Sequence, residues 1–137
     1  GMSTFQLTIV TPDGEFYRGP AESLTVRAAS GELTLLAHHI DFVAALGMGE
    51  ARVTIDGQKR HACCIGGMLA MTKNEARLIA TSFEWADQID LERAKDALSR
   101  AETALERPDL TKEERKLREA AKRRAQVRIS IAEANQK

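Results

Sequence analysis

The period of the hydrophobic pattern changes once along this chain, near residue 86. Before that point, short segments rich in β-branched residues alternate with turn residues, as in "ESLTVRAAS", "GELTLLA" and "ARVTI". Such segments indicate strands that bury one face. After that point, apolar residues recur every three or four positions, the period of an amphipathic helix. The sequence therefore predicts a β + α fold, in which an N-terminal antiparallel β-sandwich (2–86) precedes a C-terminal antiparallel two-helix hairpin (87–137).

Two turn motifs lie within the strand half. Asp56-Gly57 in "TIDGQK" supplies residue types that tolerate the positive φ angles of a tight hairpin turn. Gly66-Gly67 in "CIGGMLAM" indicates a bulge, or a close approach between two backbones.

The helical half contains two amphipathic segments joined by a short turn. Pro108 should end the first helix at Arg107, and Thr111 with Glu114 has the spacing of a capping box that starts the second. The predicted apolar stripes are Leu91, Ala94, Leu98, Ala101 and Leu105 on the first helix, and Leu117, Ala120, Arg124, Val127, Ile131 and Ala134 on the second. Because alanine occupies four of these eleven positions and arginine a fifth, the seam buries little apolar area. We therefore expect the hairpin to be marginal alone and able to move.

A charged stripe runs beside the apolar stripe of the first helix. Asp90, Arg93, Ala97 and Arg100 follow one another at three, four and three residues, which places them along one side. Guanidinium groups suit phosphates, and a carboxylate can accept a hydrogen bond from a base amine or a ribose hydroxyl. The alternative without a ligand is that Asp90 only caps the helix and that the arginines only face solvent.

The second helix offers matching arginines. Arg124 interrupts its apolar stripe and Arg128 follows one turn later, while Arg123 replaces Arg124 if the helix is rotated slightly. An arginine in a seam is unfavourable unless an anion or a carboxylate receives it. With Glu84 from the last strand, these side chains predict a shallow nucleotide site. Residues 112–128 hold eight basic and three acidic side chains, so this helix also suits acidic protein surfaces.

Composition and spacing argue against several other classes of protein. Twenty basic and twenty acidic side chains cancel, and no aromatic residue follows residue 86, which disfavours nucleic acid as a partner. No apolar run is long enough to span a bilayer, so no direct membrane insertion is expected. The adjacent Cys63 and Cys64 lack the spacing of a zinc pair and favour buried packing. Neither a metal site nor a catalytic nucleophile with its base is predicted.

Three motifs resemble those of one family. The stretches "GELTLLAHH", "IGGML" and "IDLERAKDA" are similar to segments of the epsilon subunit of bacterial F-type (F1Fo) ATP synthases, and the resemblance covers essentially the whole chain. Ile89, Asp90, Arg93 and Ala94 match the family's nucleotide-binding motif. Positions where nucleotide-binding members carry like residues are Glu84, Arg100 and the pair Arg124 and Arg128. One departure is the loop "LLAHHIDF", where the family commonly has proline and glycine before its histidine.

The resemblance implies a role in the rotating central stalk of a proton-translocating ATP synthase, with no active site of its own. The implied partners are the gamma subunit and the c-subunit ring, with Glu32 facing the c ring and His39 lying near gamma. The hairpin would reach the alpha and beta subunits when extended and impede ATP hydrolysis. No cofactor is required, ATP is the implied regulatory ligand, and a need for magnesium is left open. The implied location is peripheral, on the cytoplasmic face of the bacterial plasma membrane.

The same residues leave another function open. A stand-alone protein-binding adaptor with a helical-hairpin arm would also contain a sandwich followed by a basic helix. Association with a gamma subunit distinguishes the two interpretations.

Overall fold

The computed structural model describes residues 3–136, and the chain divides after Trp85 into two compact units. The first unit contains ten strands: β1 Phe5–Thr11, β2 Gly14–Ala21, β3 Ser23–Ala28, β4 Gly31–Leu36, β5 Phe42–Ala45, β6 Met48–Ile55, β7 Gln58–Ile65, β8 Met68–Thr72, β9 Glu75–Ile79 and β10 Ser82–Trp85. The second contains a 3-10 turn, Ala86–Gln88, and the helices α1 Leu91–Leu105 and α2 Lys112–Asn135. None of the helices within 3–136 combines the length and the apolar character that crossing a bilayer requires.

The strands form two five-stranded sheets, which confirms the predicted sandwich. One sheet has the order β2-β1-β9-β8-β5 and the other β10-β7-β6-β3-β4. Every pairing between named strands is antiparallel except β1 with β9, which run parallel. Neighbours in sequence cannot form this parallel pair through a tight turn. The two strands can pair in this direction because β2 to β8, which belong to both sheets, separate them in the sequence.

The core lies between the inner faces of the sheets. Alternate residues of β1, Phe5, Leu7 and Ile9, are at most 1% exposed. Cys63 and Cys64 are buried and are not joined in a disulfide, which agrees with the packing role that their spacing predicted. Burial, aided by the neighbouring thiol, raises the pKa of Cys64 to about 12, so this side chain stays protonated and packs as a small apolar group.

Both predicted turn motifs are confirmed. Asp56 and Gly57 have φ angles of 51° and 76°, the pair of positive values that a primed hairpin turn requires. Gly67 has a φ of 102°, and a Cβ atom at this position would lie 1.8 Å from the carbonyl oxygen of Ile79. Only glycine fits where these two backbones meet.

The hairpin begins and turns at capped helix ends. Asp90 caps α1, and Thr111 and Glu114 form the predicted capping box of α2. The prediction that the first helix continues to Arg107 is wrong by two residues. After Leu105, the N–H groups of Glu106 and Arg107 bond to carbonyls three residues back, which tightens the chain before Pro108.

The predicted apolar stripe of α2 is partly wrong. Leu117 is 70% exposed and Ala134 is exposed, whereas Ile131 is buried as predicted. The other buried residues of α2, Ala125 and Ala132, were not in the predicted stripe. With 24 residues against the 15 of α1, α2 is too long to be covered along its whole length. Residues 112–119 are accordingly all exposed.

Candidate nucleotide-binding face of the hairpin

The start of α1 contains the motif that the sequence singled out. The Asp90 carboxylate accepts the backbone N–H of Arg93 at 3.0 Å, so Asp90 is a helix cap whatever else it binds. Ile89 and Ala94 are 4% and 5% exposed, which makes them packing residues of the motif. The exposed members are Asp90 and Arg93. They are the ones available to a ligand.

The arginines of α1 lie on one side of its buried face. Ala94 and Ala101 mark that face, since each is at most 5% exposed. At about 100° per residue, Arg93 and Arg100 fall roughly 90–110° to one side, and Glu102 about 90° to the other. The helix thus has a basic flank, and its opposite flank bears Glu102.

The arginines of α2 also share one flank. Ala125, 2% exposed, marks the seam, and about 100° per residue places Arg124 and Arg128 to one side and Lys122 to the other. Arg124 is half-buried and Arg123 is exposed on the far side, so the choice between them falls on Arg124. Arg128 is half-buried and has contacts of its own within the chain.

An ion pair shows which flanks of the two helices face the same way. Lys122 Nζ and Glu102 Oε2 are 4.0 Å apart, so the flanks that carry them meet on one side of the hairpin. The flanks that carry Arg93 with Arg100, and Arg124 with Arg128, must therefore meet on the other side. We call these four arginines the basic face. The hairpin brings together what the sequence predicted from each helix separately.

The basic face suits a polyanion. Ala97 lies between Arg93 and Arg100 and is half-buried, so a small side chain separates the two guanidinium groups. Paired guanidinium groups donate forked hydrogen bonds to phosphate oxygens. Glu84, by contrast, belongs to the β unit, where it lies on β10 opposite Cys63 and is half-buried.

An open cleft of about 580 Å³ adjoins Arg100. Its lining consists of Asp96, Ser99, Arg100, Thr103, Ala104, Arg107 and Arg118. Of the predicted nucleotide residues, only Arg100 reaches it. Arg107 already pairs with Asp109 at 3.2 Å, which holds the pKa of that carboxyl below its ordinary value.

The two predicted partner-contact residues lie in the β unit. Glu32 on β4 is exposed, and its Oε1 accepts a hydrogen bond from Nη2 of Arg52 at 2.9 Å. His39, in the loop after β4, packs its ring edge-on against Phe42 at 5.0 Å, and its Nδ1 lies 2.8 Å from the carbonyl oxygen of Ile40. Both side chains thus have polar or aromatic neighbours within the β unit.

Sequence reasoning missed Gln136 as a structural part of the site. Its Nε2 donates to the carbonyl oxygens of Ala86 at 2.8 Å and Ile89 at 2.9 Å, which ties the end of α2 to the residues just before Asp90. A glutamine after a helix carries no pattern that predicts such long-range bonds. The link matters because it ties α2 to the start of α1 at the open end of the hairpin, next to Asp90.

Comparison of sequences finds one family and many relatives. Residues 4–86 match the family described as ATP synthase, Delta/Epsilon chain, beta-sandwich domain. The ATP synthase epsilon chain of Bacillus pumilus is 37% identical over 131 residues, which is 96% of this chain and 98% of the relative. That of Caldicellulosiruptor bescii is 34% identical over 134 residues, which is 98% of this chain and 97% of the relative.

Comparison of structures supports the same fold. A chain of the Euglena gracilis mitochondrial ATP synthase (OSCP/F1/c-ring) matches with a TM-score of 0.68 at 23% identity, covering 97% of this chain and 80% of that one. A chain of the Tetrahymena thermophila mitochondrial ATP synthase central stalk and c-ring matches with a TM-score of 0.66 at 10% identity, covering 96% and 98%.

Proposed function

Because the chain belongs to the ATP synthase epsilon-chain family, we propose that it works in the central stalk of a bacterial proton-translocating ATP synthase and joins the rotor to the catalytic head. An epsilon chain is a non-catalytic subunit, so the protein is not itself an enzyme. In this proposal it is held at the cytoplasmic face of the plasma membrane by its partners alone.

An apolar row on the β unit supports partner binding. Strand register places Ala45, Met68, Ile79 and Val10 opposite one another across β5, β8, β9 and β1. Met68 and Ile79 are 50% and 47% exposed, and Val43, two residues before Ala45, is 65% exposed. Contiguous exposed apolar side chains mark protein contacts. We assign this row to the gamma subunit, and Glu32 to the c ring.

The hairpin is proposed as the regulatory arm. It is a compact unit of its own, and its seam buries alanines, which contribute little hydrophobic stabilisation. Such an arm can exchange between folded and extended forms. In the extended form, the exposed basic start of α2 would meet acidic surfaces of the alpha and beta subunits and impede ATP hydrolysis.

A nucleotide would favour the folded form. The basic face needs both helices side by side, so ATP bound there stabilises the folded arm and not the extended one. The stabilisation is RT ln(1 + [L]/Kd), about 1.4 kcal/mol for each tenfold excess of ligand over Kd. The observation that carries this proposal is the convergence of Arg93, Arg100, Arg124 and Arg128 on one side of the hairpin.

Hydrolysis by a catalytic complex of alpha, beta and gamma subunits provides the functional test. The added full chain should co-elute with the complex and lower its ATPase rate at micromolar ATP. The inhibition should be weaker at millimolar ATP. Arg93→Ala should still co-elute and inhibit, but millimolar ATP should no longer relieve its inhibition. Arg115→Ala, an exposed arginine on the other flank of α2, serves as the control and should behave as wild type.

Two outcomes would contradict the proposal. Failure of the wild-type chain to co-elute at micromolar concentration would remove the stalk assignment. Co-elution with an unchanged ATPase rate would keep that assignment and reject the regulatory arm.

A further inference from the structure

Two backbone carbonyls just before α1 accept hydrogen bonds from one side chain at the far end of α2. Gln136 Nε2 donates to the carbonyl oxygens of Ala86 at 2.8 Å and Ile89 at 2.9 Å, and we call this pair of bonds the latch. Ala86 and Ile89 are 2% and 4% exposed, and buried carbonyls need donors from within the protein. All three residues belong to the helical unit, although 50 and 47 positions separate Gln136 from its two acceptors.

The end of α2 holds the amide of Gln136 in position. The backbone N–H of Gln136 donates to the carbonyl oxygen of Ala132 at 2.8 Å, and its ψ of 95° turns the chain out of the helix. The preceding amide behaves differently, because Nδ2 of Asn135 donates at 2.8 Å to the carbonyl oxygen of Ile131 on the same helix. Of these two neighbouring amides, Gln136 is therefore the one that connects α2 to the residues before α1.

The other contacts between the two helices are weak. The buried residues of α1 and α2 are four alanines and Ile131, and alanine contributes little hydrophobic stabilisation. The Lys122–Glu102 pair joins partly exposed side chains at 4.0 Å, and such surface ion pairs contribute little. Two hydrogen bonds to buried residues therefore supply a substantial share of what holds the helices side by side.

The latch exists only while the helices lie side by side. A donor and acceptors so far apart in the sequence cannot meet once the two helices separate. A contact that one form makes and another lacks shifts the equilibrium toward the first form. ATP on the basic face requires the same arrangement of helices, so the latch and the nucleotide stabilise the same form.

We propose that Gln136 is the latch residue of the regulatory arm, whose two bonds hold the folded form and must break before the arm extends. This inference rests on the proposed function, which makes the hairpin a regulatory arm. A ligand binds more weakly when the form that accepts it is less populated. Loss of the latch therefore raises the ATP concentration that relieves inhibition.

The test replaces the donor by an acceptor of the same shape. Gln136→Glu puts a carboxylate oxygen where Nε2 faces the two carbonyl oxygens, so both bonds are lost. In the hydrolysis assay, the full chain with this change should co-elute with the catalytic complex as the wild type does. The ATP concentration that relieves half of the inhibition should rise at least about fivefold. An unchanged concentration would overturn the inference.

Asn135→Asp is the matched control, because it also turns an amide into a carboxylate at the negative end of the helix dipole. It loses only the bond to Ile131 within α2, so half relief should need the same ATP concentration as in the wild type. Equal shifts in the two variants would assign the effect to charge and overturn the inference. Gln136→Lys restores an N–H donor and should recover most of the response. A lysine variant as impaired as Gln136→Glu would reject hydrogen bonding as the cause.

Hydrogen exchange in the isolated full chain tests the latch without ATP or partners. The backbone N–H of Ala94 donates to the carbonyl oxygen of Asp90 at 3.0 Å, in the turn that follows Ile89. Its exchange should be at least about fivefold faster in Gln136→Glu and unchanged in Asn135→Asp.

The two measurements together separate the latch from the proposed function. Unchanged exchange in Gln136→Glu would overturn the latch itself. Faster exchange with unchanged relief by ATP would show that the latch does not control the arm, which overturns the inference and leaves the proposed function standing. If ATP fails to relieve inhibition by the wild type, the proposed nucleotide regulation is rejected, and the exchange rates alone decide on the latch.

Discussion

Replacing Gly67 by alanine is expected to destabilise the β unit by at least about 3 kcal/mol, a large share of the stability of a small domain. The added Cβ would lie 1.8 Å from the Ile79 carbonyl oxygen and 2.9 Å from Cα of Ala80. Both neighbours are backbone atoms, so neither can turn away as a side chain would. The φ of 102° adds strain for any L-residue. Urea unfolding followed by the fluorescence of Trp85, the only tryptophan, measures the loss.

Gly14→Ala is the matched control for Gly67→Ala. Gly14 has a similarly positive φ of 118°, but nothing lies within 4 Å of its added Cβ. The control should therefore show the conformational cost alone, about 1–2 kcal/mol. Equal losses for the two variants would contradict the close approach of the two backbones at Gly67.

Placing arginine at Ala101 is expected to unfold the hairpin and spare the sandwich. Ala101 is 3% exposed in the α1–α2 seam, so a long charged side chain must either be buried without a partner or push the helices apart. Either route costs about 3 kcal/mol or more, which a seam of alanines cannot offset. Far-ultraviolet circular dichroism should lose helical signal, while Trp85 fluorescence keeps its wild-type midpoint in urea.

Thr103→Arg is the control for Ala101→Arg, because Thr103 is exposed on the same helix. It should leave the helical signal intact. In the hydrolysis assay, Ala101→Arg should bind the catalytic complex without inhibiting it. Full helical signal in Ala101→Arg would show that the seam is not where α1 and α2 pack.

The sequence predicted the fold correctly where local interactions determine the structure. The change of period near residue 86 separates strands from helices, and Asp56-Gly57 and the Thr111–Glu114 box determine their local conformations through nearby hydrogen bonds and φ preferences. The parallel pairing of β1 with β9 was not predictable, because it joins two strands that are far apart in the sequence.

The buried stripe of α2 was predicted only in part, because its contacts with α1 determine which residues are buried. Spacing alone gave a stripe through Leu117 and Ala134. Leu117 is exposed because α1 is too short to cover the start of α2, and Ala134 because it lies about 180° around the helix from the buried Ala125. The capping residue Asp90 was predictable, but its companion Gln136 was not. The backbone N–H of His38 donates to Oδ1 of Asn74 across 36 residues, and no local pattern predicts that contact.

Only the grouping of arginines on each helix of the basic face was predictable from the sequence. Helical spacing groups Arg93 with Arg100, and Arg124 with Arg128, but it does not determine which flanks meet. That required the Lys122–Glu102 contact and the buried alanines of both helices. The sequence thus supplied the candidate arginines, and the packing of the hairpin brings these four side chains to one side.

Calorimetric titration of the full chain with ATP tests the basic face most directly, beside Arg93→Ala, Asp90→Asn and Arg115→Ala. Asp90→Asn removes the charge and keeps a good helix cap, so it separates ligand binding from folding. We expect saturable heat for the wild type and Arg115→Ala, and at least about tenfold weaker binding for Arg93→Ala and Asp90→Asn. No heat up to millimolar ATP, or equal affinity in all four proteins, would contradict a nucleotide site on the hairpin.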